Sequence, residues 1–179
     1  MSNLTKSALR TATMALLAAG VSWAAVLPDE NNTTTMTATV AEQAQLTTPG
    51  AVSFTVADVT SVTVADSAVS VSATSIALST DTQALKISLA PNAVQFTPPT
   101  GATVTWDSSD VSWTSTGTNW TPNNAALSGT AGVYVEVATC TANATSCSSS
   151  DLTFSLAAKP TIDGSGAFSL VVTWKFESI

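Results

Sequence analysis

The chain has 179 residues, 45% of them hydrophobic, with five Lys and Arg, twelve Asp and Glu, and no histidine. With no basic run it excludes nucleic acid and anionic membrane surfaces as partners, since both are held through Lys and Arg contacts to phosphate. The missing histidine and the scattered carboxylates remove the usual acid–base and nucleophilic constellations, so the expectation is no enzyme, no catalytic residue and no cofactor.

Residues 1–24 divide into the parts of a secretory signal: Lys6 and Arg10, a short apolar run over 14–21, then Ser22, Trp23 and Ala24 with small residues three and one before a cut. The run is shorter than the roughly 20 residues that span a bilayer. The expectation is a cleaved signal, export to the periplasm, cell surface or medium, and no membrane insertion afterwards. Cleavage removes Lys6 and Arg10 and no carboxylate, leaving three lysines against twelve acidic side chains, a net charge of −9. Residues 25–35 then form a polar lead, and 36–179 have the length of one domain.

From residue 36 the chain alternates apolar and polar positions, the mark of half-buried strands. Met36, Ala38 and Val40 alternate with threonines; Val52, Phe54 and Val56 follow; then come Val62 and Val64, Val69 to Ala73, and Leu85, Ile87 and Leu89. Turn-like stretches at Pro49 and Gly50, Asp66 and Ser67, and Pro91 and Asn92 separate them. Val104 with Trp106 and Val111 with Trp113 come next, then a long loop around 116–129, Val133 to Val137, and Leu152, Phe154 and Leu156. The last run is the strongest. Phe168, Leu170, Val172, Trp174 and Phe176 share one face, and such a strand is expected inside a sheet because an open edge this apolar invites aggregation. About nine or ten strands without a helix give an all-β fold, an antiparallel two-sheet β-sandwich of immunoglobulin-like or jelly-roll type.

Cys140 and Cys147 enclose six residues, and in an exported chain they are expected to form a disulfide that clips a hairpin loop. Trp106 and Trp113 share the inward parity of Val104 and Val111 and read as core. Trp120 falls within the predicted loop, beside Asn119, Asn123 and Asn124, and is the candidate for an exposed aromatic contact to a glycan. Asp107 and Asp110 bracket two serines; two carboxylates fall short of a calcium loop, so a polar turn and no metal site is the expectation.

Three stretches together resemble the secreted β-sandwich subunits of bacterial surface structures, the fimbrial pilins and spore-coat-U-like proteins. They are the alternating Thr-Thr-Thr-Met-Thr-Ala-Thr-Val of residues 33–40, the aromatic-centred 51–56 after a Pro-Gly turn, and the closing strand over 167–176. The resemblance implies a structural or adhesive surface protein. It also implies that Met36, Ala38 and Val40 belong to a self-association strand that pairs with another copy or another surface protein. The alternative reading is a carbohydrate-binding module built on Trp120 and its neighbouring amides.

Overall fold

A computed structural model describes residues 34–179; the expected secretory signal and most of the expected polar lead lie outside the described residues. The chain divides into two units, Met1–Thr39 and Val40–Ile179. In the first, residues 34–39 have no regular secondary structure and are exposed. The strand expected over 36–40 is therefore not formed: an alternating sequence makes a strand only where a neighbour supplies the ladder hydrogen bonds.

The second unit is a β-sandwich of two antiparallel sheets. The first contains β1 (Gln43–Thr47), β2 (Thr63–Val64), β3 (Ser72–Ala77), β5 (Val111–Thr118) and β8 (Ser146–Leu156). β8 is long enough to be shared: β3 pairs with its first residues and β2 with its last on one side, while β5 runs along the other. β1 adds outside β3. The second sheet has the order β6 (Trp120–Pro122), β7 (Val135–Cys140), β4 (Leu85–Pro91), β9 (Val172–Ser178). Between the sheets lie Val71, Ile87, Leu89, Trp113, Val137 and Leu152, all essentially without solvent contact. Their period-two spacing along each strand is what buries one face of each sheet.

One side of the sandwich is closed by the chain itself, because β5 of the first sheet passes directly into β6 of the second. The crossing depends on two backbone features. Asn119 adopts a left-handed conformation (φ 52°), which an Asn tolerates better than most side chains. Gly117 sits where an added Cβ would lie 2.1 Å from the Ser148 carbonyl oxygen, so no larger residue fits. β6 thus begins inside the span predicted as one long loop, and β1 was not foreseen in the polar stretch 41–47.

The final strand departs most from expectation. β9 is not inside a sheet but at its edge, paired along its length with β4 alone. Phe168, Leu170, Trp174 and Phe176 are only half-buried, and Val172 is exposed. Residues 51–56 also form no strand, although Val52, Phe54 and Val56 still turn alternately toward the interior.

Cys140 and Cys147 form a disulfide. It does more than clip a hairpin: Cys140 ends β7 in one sheet and Cys147 lies in β8 of the other, so the bond ties the two sheets together at one end. Among the described residues no helix is long and apolar enough to cross a membrane. Replacing both cysteines by alanine is expected to lower stability by about 2–3 kcal/mol, the chain-entropy value for so short a loop. Urea unfolding should show a lower midpoint with the slope unchanged, and an unaltered midpoint would mean that the tie contributes nothing.

Candidate functional site

The side opposite the β5–β6 crossing is open. There a cleft of about 800 Å³ enters the sandwich between β9 and the extended segment 49–59. One wall is Val52, Phe54 and Val56; the other is Phe168, Leu170, Val172 and Trp174. Core side chains, among them Leu89, Phe96, Trp106 and Phe154, form the floor. Among the described residues no charged side chain lines the cleft, and its hydroxyl side chains are those of Ser53, Ser165 and Ser169. Along its rim the outer edge of β9 leaves its backbone N–H and C=O groups without a strand partner.

Both walls are held by hydrogen bonds that do not cross the opening. On the 49–59 side the Asp66 carboxylate accepts the Thr55 N–H at 2.9 Å, and the Asp66 N–H donates to Ser53 O at 2.9 Å. Ala65 N–H in turn donates to Phe154 O of β8, which fastens this wall to the first sheet. On the other side Thr97 and Ser169 exchange two backbone bonds, and the Asn92 N–H donates to Val171 O. The loop beyond is stapled by Asp163, whose carboxylate accepts the N–H groups of Thr103 and Val104, each at 3.0 Å, and the Thr103 hydroxyl. Those bonds hold its pKa down to about 2, with the Thr103 hydroxyl the largest cause. Gly164 completes the staple, since an added Cβ would lie 2.5 Å from the Cβ of Ala102.

The residues singled out for chemistry are committed elsewhere. Trp120 is not exposed: it is 7% accessible, buried against Gly117, with its indole N–H donating to Ser115 Oγ at 3.0 Å. The β5–β6 crossing turns it inward, which a reading of residues 116–129 as loop could not foresee. The neighbouring amides serve the backbone. Asn119 donates to Ser146 O, Asn123 donates to Glu136 O, and Asn124 accepts the Ser115 N–H. The exposed aromatic contact expected for a glycan is therefore absent at Trp120. Trp106 and Trp113 are buried, and their indoles donate to the carbonyls of Ala157 and Asn123.

Asp107 caps a short 3-10 turn, Ser108–Asp110, that ends in Asp110, and the Lys159 ammonium bridges the two carboxylates at 2.7 and 3.1 Å. The Lys159 hydrogen bond, with a second from Gln95, holds the Asp107 carboxyl below its usual range. Among the described residues no group of three or more His, Cys, Asp or Glu could hold a metal. Met36, Ala38 and Val40 are exposed, and Val40 begins the second unit. The chain matches no protein family, no curated protein and no solved structure.

The Asp163 staple carries a pH signature. Its pKa is depressed in the folded state, so its contribution is present above the ordinary carboxylate range and is lost as pH falls from about 4 toward 2. Melting of the wild type should drop through that window, and Asp163→Asn should show a shallower drop from a lower starting point. Equal slopes would mean that the staple contributes no stability.

Proposed function

We propose that this protein is a non-catalytic structural subunit of an exported surface assembly, and that it self-associates by accepting a strand of another copy along β9. The observation that carries the reading is the strand itself. The apolar run 168–176 ends in a strand at a sheet edge; Phe168, Leu170, Val172 and Trp174 line an uncharged cleft, and this face is only half-buried. Edges of soluble sandwiches are normally shortened, charged or covered; here Lys175 and Glu177 charge the later half of β9, while the half at Val172–Trp174 beside the cleft carries no charge. Such an edge suits β-augmentation, in which backbone bonds supply affinity and alternate side chains fill a groove.

The fitting occupant is the segment 33–40 of a second copy. It is eight residues long against the seven of β9, it alternates Met36, Ala38 and Val40 with threonines, and it carries no charge, as the cleft carries none. Its described part, residues 34–40, is exposed and forms no ladder. Neutral meeting neutral matters here, because burying an unpaired charge in an apolar cleft is costly.

The exported, cleaved protein should scatter light as concentration-dependent assemblies. Deleting residues 33–40 should leave the melting temperature unchanged and reduce the protein to monomers. Ala38→Asp should weaken association by at least about tenfold, corresponding to ~1.4 kcal/mol for a buried unpaired charge. Assembly by the deletion variant equal to that of wild type would remove the reading. A monomeric wild type at every concentration would do the same.

A further inference from the structure

Resting on the docking reading, we infer that residues 49–57 form a strap poised to close over the cleft, and that the Asp66 carboxylate is the positioning group that holds it open for an incoming strand. The two walls of the cleft are secured very differently. The β9 wall is fixed: β9 pairs with β4 from Ser178 opposite Leu85 to Val172 opposite Pro91, and the bonds of Thr97 with Ser169 and of Asn92 with Val171 continue that attachment beyond it. The facing wall belongs to no ladder. It is extended, but among the described residues its hydrogen bonds all run to one partner, Asp66. The Asp66 carboxylate accepts the Thr55 N–H at 2.9 Å and the Thr55 hydroxyl at 3.1 Å, and the Asp66 N–H donates to Ser53 O at 2.9 Å.

The strap is anchored at both ends and free between them apart from that one tie. β1 stops at Thr47, opposite Ser72, and Pro49 and Gly50 lead from it into the strap. No atom lies within 4 Å of where a Cβ on Gly50 would stand, so nothing packs against that side of the chain. Beyond the strap the chain is pinned again. The Asp58 carboxylate accepts the N–H and hydroxyl of Thr60 and the hydroxyl of Ser61, and Val59 O accepts the Lys159 N–H. Asp66 belongs to the fixed part, because the Ala65 N–H is bonded to Phe154 O and β2 pairs with the last residues of β8.

Two forces act on the strap in opposite directions. Val52, Phe54 and Val56 face Phe168, Leu170 and Trp174 across the cleft of about 800 Å³, and all six are half-buried. Bringing the walls together removes apolar surface from water, which the hydrophobic effect favours without needing a particular fit. The carboxylate opposes closure. Bonds to an ionised acceptor are stronger than bonds to a neutral one, and both must break before Thr55 can leave Asp66. A free copy therefore partitions between an open form that receives a strand and a closed form that covers itself, and the apparent affinity scales with the open fraction. Asp66 does not line the cleft; it acts through Thr55.

The test uses the full exported chain and three readouts: fluorescence of the uncharged apolar dye N-phenyl-1-naphthylamine, association in sedimentation, and thermal melting. Asp66→Ala should weaken association about tenfold, through a tenfold fall in the open fraction. It should reduce dye binding in parallel and leave the melting temperature unchanged or raised, because closure buries what the open cleft exposes. Asp66→Asn keeps a side-chain carbonyl for the Thr55 N–H and should restore both dye binding and association. A merely structural Asp66 would give the opposite pattern, lower melting with increased dye binding, and that result would overturn the strap. Dye binding and association equal to wild type in Asp66→Ala would overturn it too, as would failure of Asp66→Asn to restore them. An unmodified chain that binds the dye but stays monomeric at every concentration would instead overturn the docking reading, and the dye arm of Asp66→Ala would still decide the strap.

Discussion

The structure turns on an unpaired edge. A β-sandwich must account for both sides of each sheet, and this one closes a single side by running β5 into β6. On the other side β9 ends its sheet, and across from it the chain offers only residues 51–56, held by Asp66 and not by strand pairing. The core therefore opens toward solvent on this side. Leu89, Trp106 and Phe154 sit at the floor of the cleft, while Phe168, Leu170 and Trp174 stand half-covered at its wall. A large apolar side chain gives about 1.5–3 kcal/mol only when fully buried, so this face realises only part of what its composition offers. A second strand would recover the remainder.

The same accounting explains why the chain shows so little chemistry. Its distinctive polar groups satisfy backbone and indole groups that packing would otherwise strand. The indole N–H groups of Trp106, Trp113 and Trp120 all find acceptors, two of them backbone carbonyls and one the hydroxyl of Ser115. Three asparagines bond to the backbone along the β5–β6 crossing. Asp66 and Asp163 accept main-chain N–H groups and hold the two walls of the cleft, and Lys159 draws Asp107 and Asp110 together. Among the described residues no buried side-chain nitrogen or oxygen lacks a partner. These groups hold the cleft walls and the β5–β6 crossing in place.

The fold class was legible because period-two alternation survives translation into sheets almost unchanged. β4, β5, β8 and β9 each sit within or beside the runs that Leu85, Val111, Leu152 and Phe168 announce. What the sequence left open was which strand adjoins which. The apolar face of the last run argued for the middle of a sheet, but periodicity shows which side chains share a face and not which strands lie beside them. The burial of Trp120 was illegible for a related reason. It depends on Gly117 and Asn119 bending the chain across to the other sheet, and glycine and asparagine in a Thr-rich stretch read equally well as loop. The cleft could be found only by placing residues 51–56 opposite residues 168–174, a pairing more than a hundred positions apart in the chain.

Charge bears directly on the proposed docking. The lysines Lys86 and Lys175 are both drawn to Glu177, and Lys159 is drawn to two aspartates, so the remaining carboxylates give the body a negative surface. Copies approaching at random repel one another, while the cleft and the segment 33–40 carry no charge at all. At physiological ionic strength that repulsion fades beyond roughly 8 Å. On the proposed docking, repulsion between bodies would disfavour the edge of one copy meeting the flank of another, while a neutral strand would be spared that repulsion. The acidity of the surface would then limit indiscriminate edge pairing, and the neutrality of the cleft would admit an uncharged strand.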